Sequence, residues 1–226
     1  MKIKQIVACA AVVAATGVSA PVFAGATGNV GAFSEYMFRG VEQSNGAAIQ
    51  GGLDFSSASG LYAGTWISNT GFGSLPDGES VTYETDIYAG YATKVGDVGL
   101  DIGALYYYYT DANDLNTLEG YVGASYGPVA AKFFYTDDYF GTDEDGYYAT
   151  ASATFPVTSS VNFIVNGGYN GGKGVEAFLG DKYYDYGATV TKTLEAGFTF
   201  SLAAIGTDLD TDRTKLVLGL KKSFDL

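Results

Sequence analysis

From residue 25 onward the chain repeats one arrangement: large apolar residues alternate with small or polar ones in tyrosine-rich segments of 9–13 residues. Successive side chains of a β-strand point to opposite faces, so each segment carries one greasy and one polar face. Over 98–109, Val98, Leu100, Ile102, Ala104, Tyr106 and Tyr108 share a face opposite Gly99, Asp101, Gly103 and Tyr107. Val129, Ala131, Phe133 and Tyr135 oppose Lys132 and Thr136, while Val161, Phe163, Val165 and Tyr169 oppose Asn162 and Asn166. Phe198, Phe200, Leu202 and Ala204 oppose Thr199 and Ser201, and Leu216, Leu218, Leu220, Phe224 and Leu226 oppose Lys215, Lys221 and Ser223. The alternation predicts twelve strands, at 27–39, 47–56, 60–68, 82–93, 98–109, 115–126, 128–137, 146–155, 160–169, 182–193, 196–205 and 213–224.

The gaps between these segments are alternately short and long. Short ones fall at 57–59, 95–97, 127–128, 156–159 and 194–195; the others, 40–46, 69–81, 110–114, 138–145, 170–181 and 206–212, are mostly longer. The long gaps hold Asp77, Glu79, Asp111, Asp114, Asp143, Glu144, Asp145, Asp208, Asp210 and Asp212. An even number of half-greasy strands, short turns at one end and longer acidic loops at the other predict an all-β fold: a closed antiparallel transmembrane β-barrel in a bacterial outer membrane, with both termini on the turn side. A soluble sandwich or lipocalin-like barrel would turn its apolar face inward. Small residues such as Gly103, Gly123, Ala149 and Ala151 give no obvious packed interior for that, and tyrosines near strand ends (Tyr106 to Tyr109, Tyr147, Tyr183, Tyr184, Tyr186) read as interfacial girdles.

The first residues refine the domain plan. Lys2 and Lys4 precede the apolar run Ile6 to Val18, and Val22-Phe23-Ala24 precede Gly25. This is the form of a cleaved secretory signal peptide over 1–24, leaving 25–226 as the barrel domain. Cys9 stands before most of the apolar run, whereas a lipoprotein processing site would follow it, so the cysteine leaves with the leader and disulfides are excluded. Loss of the two lysines takes the net charge from −13 to −15. So acidic a protein repels nucleic acid and favours cations. Pro76, Pro128 and Pro156 fall in gaps or at strand edges, where a missing donor does least harm.

Four blocks of the sequence also look like a known group. Ser34, Tyr36, Phe38, Arg39, Gly40 and Ser44 form the first; Gly51, Gly52 and Asp54 the second. Gly60, Tyr62, Gly64, Trp66, Ser68 and Asn69 form the third, and Glu84, Asp86, Tyr88, Gly90 and Tyr91 the fourth. With these blocks the chain resembles the TorF family of proteobacterial outer-membrane porins, whose function is itself inferred. The resemblance implies a barrel and a porin but no particular solute. Such barrels often end in an aromatic residue; this chain ends Phe224-Asp225-Leu226, which keeps the outward parity.

Candidate chemistry is thin. Histidine is absent, which removes the Ser–His–Asp triad and His-containing zinc sites, and no cofactor or enzymatic activity is expected. The inward parity instead carries Glu35, Asp54, Glu84, Asp86, Asp101, Glu119 and Asp185 against Arg39, Lys132, Lys215 and Lys221. Glu35, Arg39, Asp54, Glu84, Asp86, Asp101, Glu119, Lys132 and Asp185 are therefore the pore-lining candidates. Glu35 and Arg39, four apart on the first predicted strand, read either as a charged constriction or as an ion-paired plug. Paired carboxylates could act as acid and base, but a hydrated wall whose charges pair across strands is the plainer reading. Tyr62 and Trp66 share a parity and could form an aromatic track, although packing explains them as well. Gly167 to Gly172 with Lys173 imitates a phosphate loop, yet Gly174 stands where Ser or Thr should be and no helix is expected to follow. Asp143-Glu144-Asp145-Gly146 and Asp208 to Asp212 hint at calcium without the full ligand set.

The expected function is passive diffusion of small hydrophilic solutes, with mild cation selectivity. The expected partners are those solutes or cations, outer-membrane lipid, lipopolysaccharide and the barrel-assembly machinery. The competing function is a non-conducting barrel that anchors loops for adhesion or lipopolysaccharide contact.

Overall fold

A computed structural model describes residues 25–71, 81–110, 112–209 and 214–226. The expected leader over 1–24 lies outside the described residues, as do Pro76, Asp77, Glu79, Asp111, Asp210 and Asp212. Twelve strands form one closed antiparallel barrel. They are β1 (Gly25–Phe33), β4 (Ala48–Ser56), β5 (Leu61–Asn69), β6 (Tyr83–Val95), β7 (Val98–Tyr109) and β8 (Thr117–Tyr126), followed by β9 (Val129–Thr136), β10 (Gly146–Pro156), β11 (Val161–Gly171), β12 (Tyr183–Thr193), β13 (Phe198–Thr207) and β14 (Lys215–Asp225). Each pairs with its neighbours in sequence, and β1 closes the ring by pairing with β4 on one side and β14 on the other. A two-stranded hairpin, β2 (Met37–Phe38) and β3 (Val41–Glu42), stands apart from the wall.

The predicted alternation is realised with its greasy face outward. Val30, Ile49, Leu61, Ile87, Ile102, Val122, Phe133, Leu202 and Leu218 are all exposed on the wall, Ile102 at 57%. Their strand neighbours Gln50, Glu84, Glu119, Thr189 and Ser201 are buried on the other face. No soluble fold would leave this belt in water; an outer membrane covers it with lipid. Closing the ring pairs every wall strand on both sides, which leaves no open edge to hydrocarbon. Short turns occupy the end that carries Gly25 and Leu226, where Leu226 N–H bonds to the Ala26 carbonyl at 3.0 Å.

The structure corrects the sequence reading in four places. The first strand ends at Phe33, not at residue 39, because 34–47 leave the wall and turn into the lumen. Glu35 and Arg39 therefore share no strand face; Arg39 takes a positive φ of 48° at the tip of the β2–β3 hairpin. Second, a short helix, α1 (Lys173–Leu179), follows Gly172 where none was expected, ended by Gly180 in the left-handed region. It buries Val175 and sets Phe178 against Tyr139 and Phe140. Third, the interior is not bare: Phe33, Tyr36, Met37, Phe38, Tyr107, Tyr109, Tyr139, Phe140, Tyr183, Ile205 and Val217 form a buried cluster at the loop end. Fourth, the expected girdle splits by parity. Tyr106, Tyr108, Tyr184 and Tyr186 are exposed outside, whereas Tyr107, Tyr109 and Tyr183 are buried inside.

Candidate functional site

The site is the hairpin and the wall it meets. Arg39 and Gly40, with φ of 48° and 83°, supply the two left-handed residues that a two-residue hairpin turn needs. Phe38 pairs with Val41 and Met37 with Glu42 on either side. The hairpin base is tied by the Tyr36 N–H to the Ser44 hydroxyl at 2.8 Å and by the Gln43 N–H to the Tyr36 carbonyl at 2.8 Å. Lys215 on β14 clamps its rim, 2.8 Å from Glu42 and 3.7 Å from Glu35.

From that base the hairpin crosses the bore. Its root is on β1, yet Arg39 Nη2 lies 2.6 Å from Glu119 Oε2 on β8, which the ring order sets across the barrel. Both side chains are essentially buried, at 3% and 0% exposure. The Arg39 guanidinium lies 4.4 Å from the Tyr148 ring centroid, 5.3 Å from that of Phe134 and 4.7 Å from that of Phe38. Gly40 presses against β12 and β13: a Cβ there would meet the Thr207 side chain, the Gly206 carbonyl at 2.8 Å and Asp185 Cβ at 2.9 Å. Only glycine fits. Tyr36 donates to Glu84 Oε1 at 2.7 Å and sets its ring edge-on to Trp66, centroids 5.1 Å apart. Tyr109 donates to the other Glu84 oxygen at 2.8 Å, and Tyr107 to Glu119 at 3.0 Å. From the loop over 137–145, Phe140 closes the cluster against Phe38 and Tyr107; burial pushes the Tyr139 phenol beside it up to about 12.

Nearer the turn end the inner face is wetter. Asp101 and Lys132 pair at 2.7 Å with 15% and 19% of their side chains exposed. Tyr62 donates to Asp101 at 2.6 Å and meets the Tyr121 hydroxyl, while the Lys132 ammonium sits 4.6 Å from the Tyr121 ring centroid. Tyr88 donates to Asp54. At the loop end, buried Asp185 accepts from Tyr148 at 3.2 Å and Asn170 at 3.3 Å.

All nine sequence candidates thus point inside or sit on the inserted loop, in distinct groups. Arg39 and Glu119 form one, Asp101 and Lys132 a second, Glu35 belongs to the rim, and Asp54, Glu84 and Asp185 are held by tyrosines. Asp86, opposite Trp66, keeps an oxygen without a hydrogen-bond partner among the described residues. Trp66 packs against Tyr36 and Tyr62 hydrogen-bonds Asp101, and no ring contact joins the two among the described residues. Sequence reasoning missed Phe134, Tyr148, Tyr107 and Phe140. The first three carry a signal: they are large rings on the polar parity of their strands. No described group of three or more Asp or Glu could hold a metal ion.

A family model described as "Bacterial protein of unknown function (Gcw_chp)" matches residues 15–224. No curated protein matches the sequence. Among solved structures, the chain is similar to the KdgM porin, with a TM-score of 0.60 and 11% identity over 88% of this chain and 99% of that one. It is similar to the KdgM porin in complex with disordered oligogalacturonate, at 0.58 and 10% over 88% and 99%. It also resembles the NanC porin, at 0.58 and 12% over 89% and 100%. The shared fold is the twelve-stranded barrel of outer-membrane porins.

Proposed function

The chain belongs to Gcw_chp, a family of bacterial proteins of unknown function, and we propose that it is a porin-like diffusion channel of the outer membrane, narrowed by its own first loop. The observation that carries this reading is the polarity of the wall, apolar outside and, beyond the aromatic cluster at the loop end, largely charged, hydroxylated or glycine-lined inside. Lipid accepts the first face and water or solute the second. The leader over 1–24, recognition of the C-terminal strand by the assembly machinery, contacts with lipid and lipopolysaccharide, and the likeness to the TorF family belong to the same reading.

The lumen and its rim carry Glu35, Glu42, Asp54, Glu84, Asp86, Asp101, Glu119 and Asp185 against Arg39, Lys132, Lys215 and Lys221. An acid-weighted bore raises local cation concentration and repels anions, and salt weakens the effect. The channel therefore favours small cations and neutral hydrophilic solutes. The KdgM porin has been captured with oligogalacturonate, a polyanion; this lumen is the wrong sign for such a ligand. In planar bilayers under a salt gradient, reversal potentials are expected to favour cations, less so at high ionic strength. Preference for chloride would refute the selectivity.

A second reading has one observation in its favour: the packed aromatic cluster fills the loop end of the lumen. A barrel sealed there would be a surface anchor. Absence of single-channel steps from pure refolded protein would select that reading over the channel.

A further inference from the structure

Arg39 sits on the wall as a bound solute would. Its guanidinium lies against two adjacent rings and is charge-paired to a buried carboxylate: the Tyr148 and Phe134 centroids, themselves 6.0 Å apart, are 4.4 and 5.3 Å away, with Glu119 at 2.6 Å and the Tyr107 hydroxyl at 3.4 Å. We propose that this cage is a guanidinium-binding site of the channel, that Arg39 is its tethered and displaceable ligand, and that solutes bearing a guanidinium group are its external ligands. The inference rests on the channel reading for access to the lumen.

Three features of the geometry support it. The cage belongs to the wall: Tyr107, Glu119, Phe134 and Tyr148 come from β7, β8, β9 and β10, and only Phe38 arrives with the hairpin. Withdrawal of the hairpin leaves it standing. The groups suit a flat, weakly hydrated cation, which stacks on rings and meets a carboxylate edge-on, better than they suit a compact ammonium. The tethered ligand is also imperfectly seated. Arg39 Nη1 and Glu119 Oε1 lack hydrogen-bond partners among the described residues, so the pair makes one short contact where a fork-to-fork pair makes two. A guanidinium free of the backbone can turn to make both.

The test uses the full barrel refolded in detergent and in planar bilayers, with guanidinium chloride as probe and equal sodium chloride as control. In Arg39→Ala, guanidinium in the millimolar range is expected to reduce the current several-fold and saturably, and to raise the unfolding temperature. In the unsubstituted protein both effects should need a much higher concentration, because Arg39 must first be displaced from the cage. Glu119→Gln added to Arg39→Ala should abolish both effects. Arg39→Lys, which keeps the charge but not the plane, should respond as Arg39→Ala does and serves if the alanine variant does not refold. A guanidinium-specific rise in unfolding temperature with no current in any variant would keep the site and refute the channel. Current that sodium and guanidinium affect alike in both Arg39 variants, with no shift in unfolding temperature, would overturn the site.

Discussion

At the scale of single residues, glycine and aromatic rings are used as matched pairs. Phe33 lies directly opposite Gly219, Gly64 opposite Tyr88, Tyr62 opposite Gly90, and Gly103 opposite Tyr121. Each ring folds flat over the glycine across from it, which shields the exposed backbone and keeps the ring against the wall rather than across the bore. A Cβ at Gly103 would stand 2.5 Å from the Tyr121 hydroxyl and 2.6 Å from the Ala89 carbonyl. Gly103→Val is therefore expected to cost about 1–3 kcal/mol through overpacking, read as an earlier midpoint in urea unfolding, with Tyr121 displaced from Tyr62. Gly40 is a different case, since both its positive φ and its contact with β12 and β13 exclude a side chain. Gly40→Val should push the hairpin tip off the wall while the barrel still forms, seen as larger single-channel conductance with unchanged heat-modifiable migration on gels. Unchanged conductance would mean that the tip does not obstruct the bore.

At the scale of elements, each strand is a two-sided object and its sides obey different rules. An arginine facing lipid near the bilayer midplane costs about 2–4 kcal/mol, whereas a lumen-facing substitution tunes permeation instead. Ile102, exposed on β7, and Ser125, inward on β8, make a direct comparison. Ile102→Arg should lower the yield of folded barrel and its stability in urea; Ser125→Arg should spare both and shift the reversal potential toward anions. Equal damage from the two would deny the assigned polarity. Strand positions were legible because a period-two pattern survives the loss of every tertiary contact. Legibility failed at 34–39. There Tyr36 and Phe38 continue the beat of β1, and nothing in the local pattern says that the chain has left the sheet. The pairing of Phe33 with Ala48 and Gly219 ends the wall, and Arg39 with Gly40 turns the hairpin.

At the scale of the whole molecule, the barrel and its inserted loop are separable. Because Phe33 and Ala48 already pair, the segment between them can be replaced by a short glycine-serine turn without moving the wall. Its loss removes Tyr36, Phe38 and Arg39 from the buried cluster, and conductance is expected to rise several-fold in bilayers; no change would show that the obstruction lies elsewhere. The sequence by itself determined the class of fold, the strand count, which face of each strand is greasy and that most charged strand residues lie on the other, since all of these follow from local alternation and the cost of bare backbone in lipid. It named Glu119 and Arg39 as lumenal groups yet could not join them, for they are separated by 80 residues and by the width of the bore. Only the tertiary structure decided that a hairpin spans the lumen, which rings cage its arginine and how far the loop end is filled. Those depend on closing the ring, which alone brings strands distant in sequence to face one another.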